Sequence, residues 1–530
     1  MDENGGRQLP VRHAASRSAR APLAIAPTRD DPGRAESAAP VPHAPFFSPF
    51  LWMALLVAIC AGFAVAGHLS FVLAFGYPLT ASFPALVQAH GHAQLLGWCG
   101  LLIMGVSLHF IPRLAGVPLS RPFSLRIIVY CVATGLLLRV AAQSALAYTR
   151  TPATGNLLRG MMLASGASEA IGILLYAILF LDTLRETGRV PRRPGFTAVR
   201  PYLGLALGGW LIYAGANSVG LVEMAARAGF VLDPGWNRLA IQSFLDLTLL
   251  PVALAFSVRL LPLYLGLAAP LRSVRATAYA YLIGAGLQLI PSALDAVRIE
   301  SGAVETLAGL GAAVKGGTLL WFTWELGLLT RTHPLERPAR LPAAGPDRPP
   351  TRPGLPDFGE FGRFELLVYS AYVWLVLAAG LEIGRGLTSW LGIDNPVGTG
   401  TILHLYLMGF VTLLIFGIAP RMLPGFLRKR RLAAPALVTV TFWLGNLAAL
   451  ARVAPALLPA SLLPPAAARI VRDAYGLSGA IALVAVILLA ANLIRTARRK
   501  GQCPARRSRR ADEGLGPRDS STPGPSRVII

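Results

Sequence analysis

Twelve apolar runs, each long enough to cross a bilayer, follow one another between residues 48 and 494. They lie at about 48–75, 84–112, 124–147, 159–184, 200–222, 238–265, 276–298, 304–330, 364–388, 398–424, 432–459 and 468–494. A membrane-spanning helix needs about 20 mostly apolar residues. Lipid offers the backbone no hydrogen bonds, so only helices and closed barrels can span it, and these runs lack the alternation of barrel strands. The chain therefore reads as an all-α integral membrane protein whose first partner is the lipid bilayer. Charged residues make up 14% of the chain, against about 25% in soluble domains, which excludes a soluble globule.

The 49 Lys and Arg against 26 Asp and Glu would suggest a nucleic-acid partner in a soluble chain. Here the basic residues sit between apolar runs, so they read as a topology signal and no nucleic acid is expected. With the amino terminus in the cytoplasm, the inner loops hold Arg113, Arg121, Arg126, Arg185, Arg189, Arg192, Arg193, Arg200, Arg272, Arg275, Arg428, Lys429, Arg430 and Arg431. The turns near 76–84, 299–304 and 386–397 hold no Lys or Arg. Both termini are thus expected inside. Residues 1–47 read as a disordered tail, 48–330 as spans 1–8, 331–363 as a linker rich in Pro and Arg, 364–494 as spans 9–12, and 495–530 as a basic disordered tail. Cys60, Cys99, Cys131 and Cys503 show no CxxC spacing and predict neither a disulfide framework nor a zinc site.

A long-period repeat runs through the spans. His92, Gly97, Gly105, His109 and Pro112 recur 312 residues later as His404, Gly409, Gly417, Arg421 and Pro424. A fainter copy lies 150 residues after the first, with Gln242, Leu247, Ala255, Arg259 and Pro262. The copies fall on spans 2, 6 and 10, so the twelve helices parse as three pseudo-repeated four-helix units about a shared interior.

Five of the eight histidines lie in spans: His68, His90, His92, His109 and His404. Ionisable groups inside membranes are costly and face cavities, cofactors or polar partners. His92 and His404 occupy equivalent positions, each five residues before a glycine that would let a planar ring approach, and two neutral imidazoles on facing helices suit a six-coordinate haem iron. His90 is two positions from His92, about 200° round the helix. It therefore faces elsewhere, toward a second haem, a copper ion or a hydrogen-bond acceptor on a neighbouring helix. His68 reads as interfacial and His109 as a cation-type residue near the inner face. Arg139, Glu169, Asn217, Glu223, Asp246, Asp295, Glu325, Glu382 and Arg452 are read mostly as interhelical ion-pair members, with some available to haem propionates or a proton path.

The stretches HGHAQLLGWCGLLIMGVSLHFIP (90–112) and HLYLMGFVTLLIFGIAPRMLP (404–424) resemble the NnrS family of bacterial membrane proteins and, more distantly, subunit I of haem–copper oxidases. The resemblance implies an inner-membrane protein with haem b and copper as cofactor types and a role in resistance or response to nitric oxide. It implies His90, His92 and His404 as cofactor and metal ligands. Span 6 carries Gln242 and span 7 no histidine where the oxidases bind their active-site copper, and Ala93 and Gln94 replace the carboxylate that follows His-x-His in NnrS proteins. A conventional oxygen-reducing centre is therefore not expected. Two other readings are an oxidase-like electron-transfer subunit served by quinol and a haem-free transporter whose histidines couple protons.

Overall fold

The computed structural model describes residues 45–190, 193–267, 269–271, 273–300, 302–330, 359–393 and 397–499. Most of both expected tails and of the linker lie outside them, as do His13, His43, His333 and Cys503. All regular structure among the described residues is helical.

Among the described residues twelve long helices appear: α1 Pro49–Ala74, α2 Phe83–Ala115, α3 Ser124–Leu146, α4 Pro152–Arg189, α5 Pro194–Ala226, α6 Pro234–Leu265, α7 Val274–Ala296, α8 Val304–Leu326, α9 Phe364–Trp390, α10 Thr399–Phe426, α11 Ala436–Leu457 and α12 Pro465–Arg498. Ten are both long and apolar enough to cross a membrane. The other two, α7 and α8, are 23 residues each and carry Gln288 and Lys315 inside their apolar stretches. Four helices begin three to seven residues earlier than hydropathy indicates, at Pro152, Pro194, Pro234 and Pro465. Proline suits the first helical position, where its missing N–H is not needed. Thr151 and Asp233 cap two of these starts, accepting from Thr154 N at 3.2 Å and Gly235 N at 2.9 Å.

The repeat seen in sequence extends to backbone geometry. Helices α2, α6 and α10 each contain a π-helical stretch, at Ala93–Gly100, Ser243–Leu249 and Leu405–Thr412, and these begin at the same offsets of 150 and 312 residues. Each helix also ends in one way. Gly116, Gly266 and Arg428 take left-handed backbone at φ 77°, 69° and 57°, and the next N–H returns to Pro112, Pro262 or Pro424 O at 3.0, 3.1 or 2.7 Å. This is the Schellman closure. The third unit makes it with Arg428, where a Cβ is penalised.

These three helices form the inner ring. In their most apolar windows 94%, 83% and 67% of residues are buried, against 39–50% in the other seven spanning helices. Where they meet lies a small chamber lined by Ile103, Val106, Val252, Phe256, Ile415 and Ile418 among other apolar side chains.

Contrary to the expectation that they let a planar ring approach, the repeat glycines Gly97 and Gly409 are covered by side chains of neighbouring helices. A Cβ on Gly97 would meet Val57 Cγ1 at 2.3 Å, and one on Gly409 would meet Trp374 Cγ at 2.9 Å. They bring α1 against α2 and α9 against α10 instead. The middle unit transfers the glycine to the partner helix: Leu247 holds the α6 position, and a Cβ on Gly209 of α5 would meet the Leu247 Cβ at 2.7 Å. We predict that Gly97→Ala costs about 1–3 kcal/mol through overpacking, and that adding Val57→Ala restores much of it. Thermal unfolding of the two variants in detergent checks this, and equal midpoints for the single and double variants would refute it.

Candidate functional site

The polar side chains of the bundle gather into three compartments. The first joins α2 and α10. His90 points its Nδ1 at Gly62 O of α1, 2.9 Å away, and His404 points its Nδ1 at Gly400 O, one turn back on its own helix, 2.6 Å away. In each ring the carbonyl fixes a proton on Nδ1 and leaves the Nε2 lone pair bare. Neither Nε2 has a hydrogen-bond partner among the described residues. The two rings lie within electrostatic reach of each other and of the Arg452 guanidinium on α11. Arg452 stacks over Tyr475 of α12 at 4.8 Å and has no carboxylate partner among the described residues.

This donor set fits haem. An Nδ1–H held by a carbonyl orients an imidazole and raises the basicity of its Nε2, as is usual for metal-bound histidine. Two such nitrogens could fill both axial positions of an iron porphyrin, and an unpaired guanidinium suits a propionate. Copper does not fit equally well: among the described residues no group of three or more His, Cys, Asp or Glu side chains could hold a metal ion.

His92 turns the other way. Its Nε2 lies 2.8 Å from Glu169 Oε1 of α4 and its Nδ1 3.0 Å from the Tyr213 hydroxyl of α5. The neutral ring donates to the carboxylate and accepts from the phenol, so no ring nitrogen remains for a metal, and the structure does not pair it with His404. The reason is the two-residue spacing on α2, which sends the two histidines to different neighbours. From Glu169 the chain continues through Asn217 (3.2 Å), Arg139 (3.1 Å), Gln143 (2.7 Å) and Gln88 (3.0 Å) to the backbone of Leu232, before α6. Arg139 is therefore satisfied by amides rather than by the ion pair expected of it.

The third compartment lies between α6 and α10. Lys315 Nζ of α8 is 2.8 Å from both Asp246 Oδ1 of α6 and Glu382 Oε1 of α9. Glu382 also receives Gln288 Nε2 of α7 at 3.0 Å and the Tyr406 hydroxyl of α10 at 2.6 Å. Lys315, Tyr213, Tyr406 and Gln88 escaped the sequence reading. For Lys315 a signal existed, a lone cation inside an apolar run. The tyrosines and the glutamine are unremarkable without their neighbours.

The remaining histidines are peripheral. His68 is exposed on α1, and His109 packs against Phe426 at 4.2 Å and Phe46 at 5.4 Å while its Nδ1 pairs with Arg113 at 3.0 Å. Asp295 pairs with Arg238, and Glu223 with Arg227 and Arg298, toward the ends of their helices.

No family model matches the chain, and no curated protein matches it. In fold it is similar to a haem–copper terminal oxidase solved as a dimer by cryo-EM, with a TM-score of 0.61 and 13% sequence identity over 86% of this chain and 83% of that one. At this identity the likeness establishes the architecture: a multi-pass membrane protein with an oxidase-like helical fold.

Glu169 is the hub of the His92 network. Glu169→Leu leaves the His92 and Asn217 donors without acceptors, at about 1–3 kcal/mol for each buried group. Glu169→Gln keeps one acceptor and is expected to lower the thermal midpoint less; the reverse order would show that the network contributes little.

Proposed function

We propose that this chain is a haem b protein of the NnrS type, engaged in resistance or response to nitric oxide at a bacterial inner membrane, with His90 and His404 as the axial pair. The observation that carries the reading is the two bare Nε2 atoms in one compartment, each ring oriented by a backbone carbonyl. The oxidase-like fold and the HGHAQLLG motif support it.

The chain's own part is to hold and orient. Gly62 O and Gly400 O fix the tautomer of the two imidazoles, α1 and α2 are held together at Gly97, and Arg452 offers a fixed cation to an anionic edge. When bound, a bis-imidazole haem supplies a one-electron couple. His92 belongs to the neighbouring network and stands one step from the site, on the same helix. Copper takes no part in this reading, because the described donors do not converge on a third ligand.

If both histidines hold the iron, their use would favour a second role, that of an oxidase-like electron-transfer subunit that accepts electrons from quinol without an active-site copper. One experiment separates the two: optical spectra of the detergent-purified protein, oxidised and reduced, with quinol and with nitric oxide. Reduced bands altered by nitric oxide support the gas-related role. Bands that quinol reduces and nitric oxide leaves alone support electron transfer, and a colourless protein points to a haem-free transporter.

His90→Ala and His404→Ala are each expected to abolish the low-spin spectrum, while His92→Phe and His109→Phe retain it. Loss of the spectrum in His92→Phe, with the spectra of His90→Ala and His404→Ala intact, would overturn the assignment.

A further inference from the structure

The α6–α10 compartment contains two carboxylates and one ammonium, all inside the bundle: the Lys315 and Asp246 side chains are 2% exposed and that of Glu382 9%. If both acids were ionised, the cluster would carry a net charge of −1 in a medium that stabilises isolated charge poorly. The other titratable groups facing it are phenols, which are neutral: Tyr406 of α10 donates to Glu382, Tyr281 of α7 donates to the backbone oxygen of Asp246 at 2.7 Å, and Tyr202 of α5 stands behind Tyr281, with ring centroids 6.4 Å apart. No further Asp, Glu, Lys, Arg or His side chain is bonded into the cluster among the described residues.

Hydrogen counting points the same way. Gln288 Oε1 is buried without a partner while its amide nitrogen donates to Glu382. The cluster thus has a buried acceptor with no donor as well as an excess negative charge.

The two acids are not equivalent. Glu382 accepts three donors, from Lys315, Gln288 and Tyr406, which is the surrounding of an ionised carboxylate. Asp246 receives Lys315 at 2.8 Å beside the Gln242 side chain, itself engaged with Ser292 and with Gln288 O. We propose that this cluster is a proton-binding site: Glu382 stays ionised and paired with Lys315, and Asp246 carries one exchangeable proton in the middle of the bundle. The site goes beyond the haem reading and stands whether or not α10 carries a cofactor.

The test uses the full-length protein in detergent. The infrared difference between wild type and Asp246→Asn should contain the carbonyl stretch of a protonated carboxylic acid, shifted in D2O, which the variant has lost. The amide is isosteric with the protonated acid, so Asp246→Asn should keep the wild-type thermal midpoint. Glu382→Gln should lower that midpoint by several degrees, because one oxygen cannot accept three donors. No acid band in the difference spectrum would overturn the proposal. So would an Asp246→Asn variant that unfolds as early as Glu382→Gln or fails to fold, or a Glu382→Gln variant with the wild-type midpoint.

Discussion

A polar side chain in hydrocarbon has only the protein to bond to, and that demand organises the interior of this bundle. Three sets of polar side chains stand out. His92, Glu169, Tyr213, Asn217, Arg139, Gln143 and Gln88 satisfy one another around α2–α5. Lys315 closes a set between α6 and α10. The histidine pair on α2 and α10 differs, because its Nε2 atoms and the Arg452 guanidinium are not answered by the chain. These three groups, two imidazole nitrogens and a guanidinium within electrostatic reach of one another, are the ones on which the haem proposal rests.

Packing makes this division possible. The repeat units need one close helix approach each, and the chain supplies it with Gly97 against Val57, Gly409 against Trp374, and, in the middle unit, Gly209 against Leu247. What the units share is the spacing between two backbones, and the helix that provides the glycine is free to change. The same holds at the helix ends, where Arg428 adopts the turn that Gly116 and Gly266 make in the other copies.

Much of the architecture was legible in the sequence because bilayer thickness dictates the length of an apolar run. The offsets of 150 and 312 residues survive into the π-helical stretches and the final turns because a repeat carries backbone geometry along with side chains. The site was less legible. Periodicity places His90 and His92 on different faces but does not say which face meets His404, since that depends on how α2 is rotated against α1 and α4. The glycines misled for a related reason: a residue without a side chain marks a close approach, and the sequence does not name the visitor. Lys315 was overlooked because the hydropathy of α8 averages it away, and partners such as Tyr213 and Tyr406 become meaningful only when five helices are brought together.

The chamber where α2, α6 and α10 meet is lined by apolar side chains, and a cavity of that kind stays dry. Water is what would let protons wander between neighbouring polar clusters. The chamber lies toward the carboxy-terminal ends of α2, α6 and α10, beyond both the Lys315 cluster and the histidine pair, so its apolar lining offers neither of them a hydrogen-bonded relay along that axis.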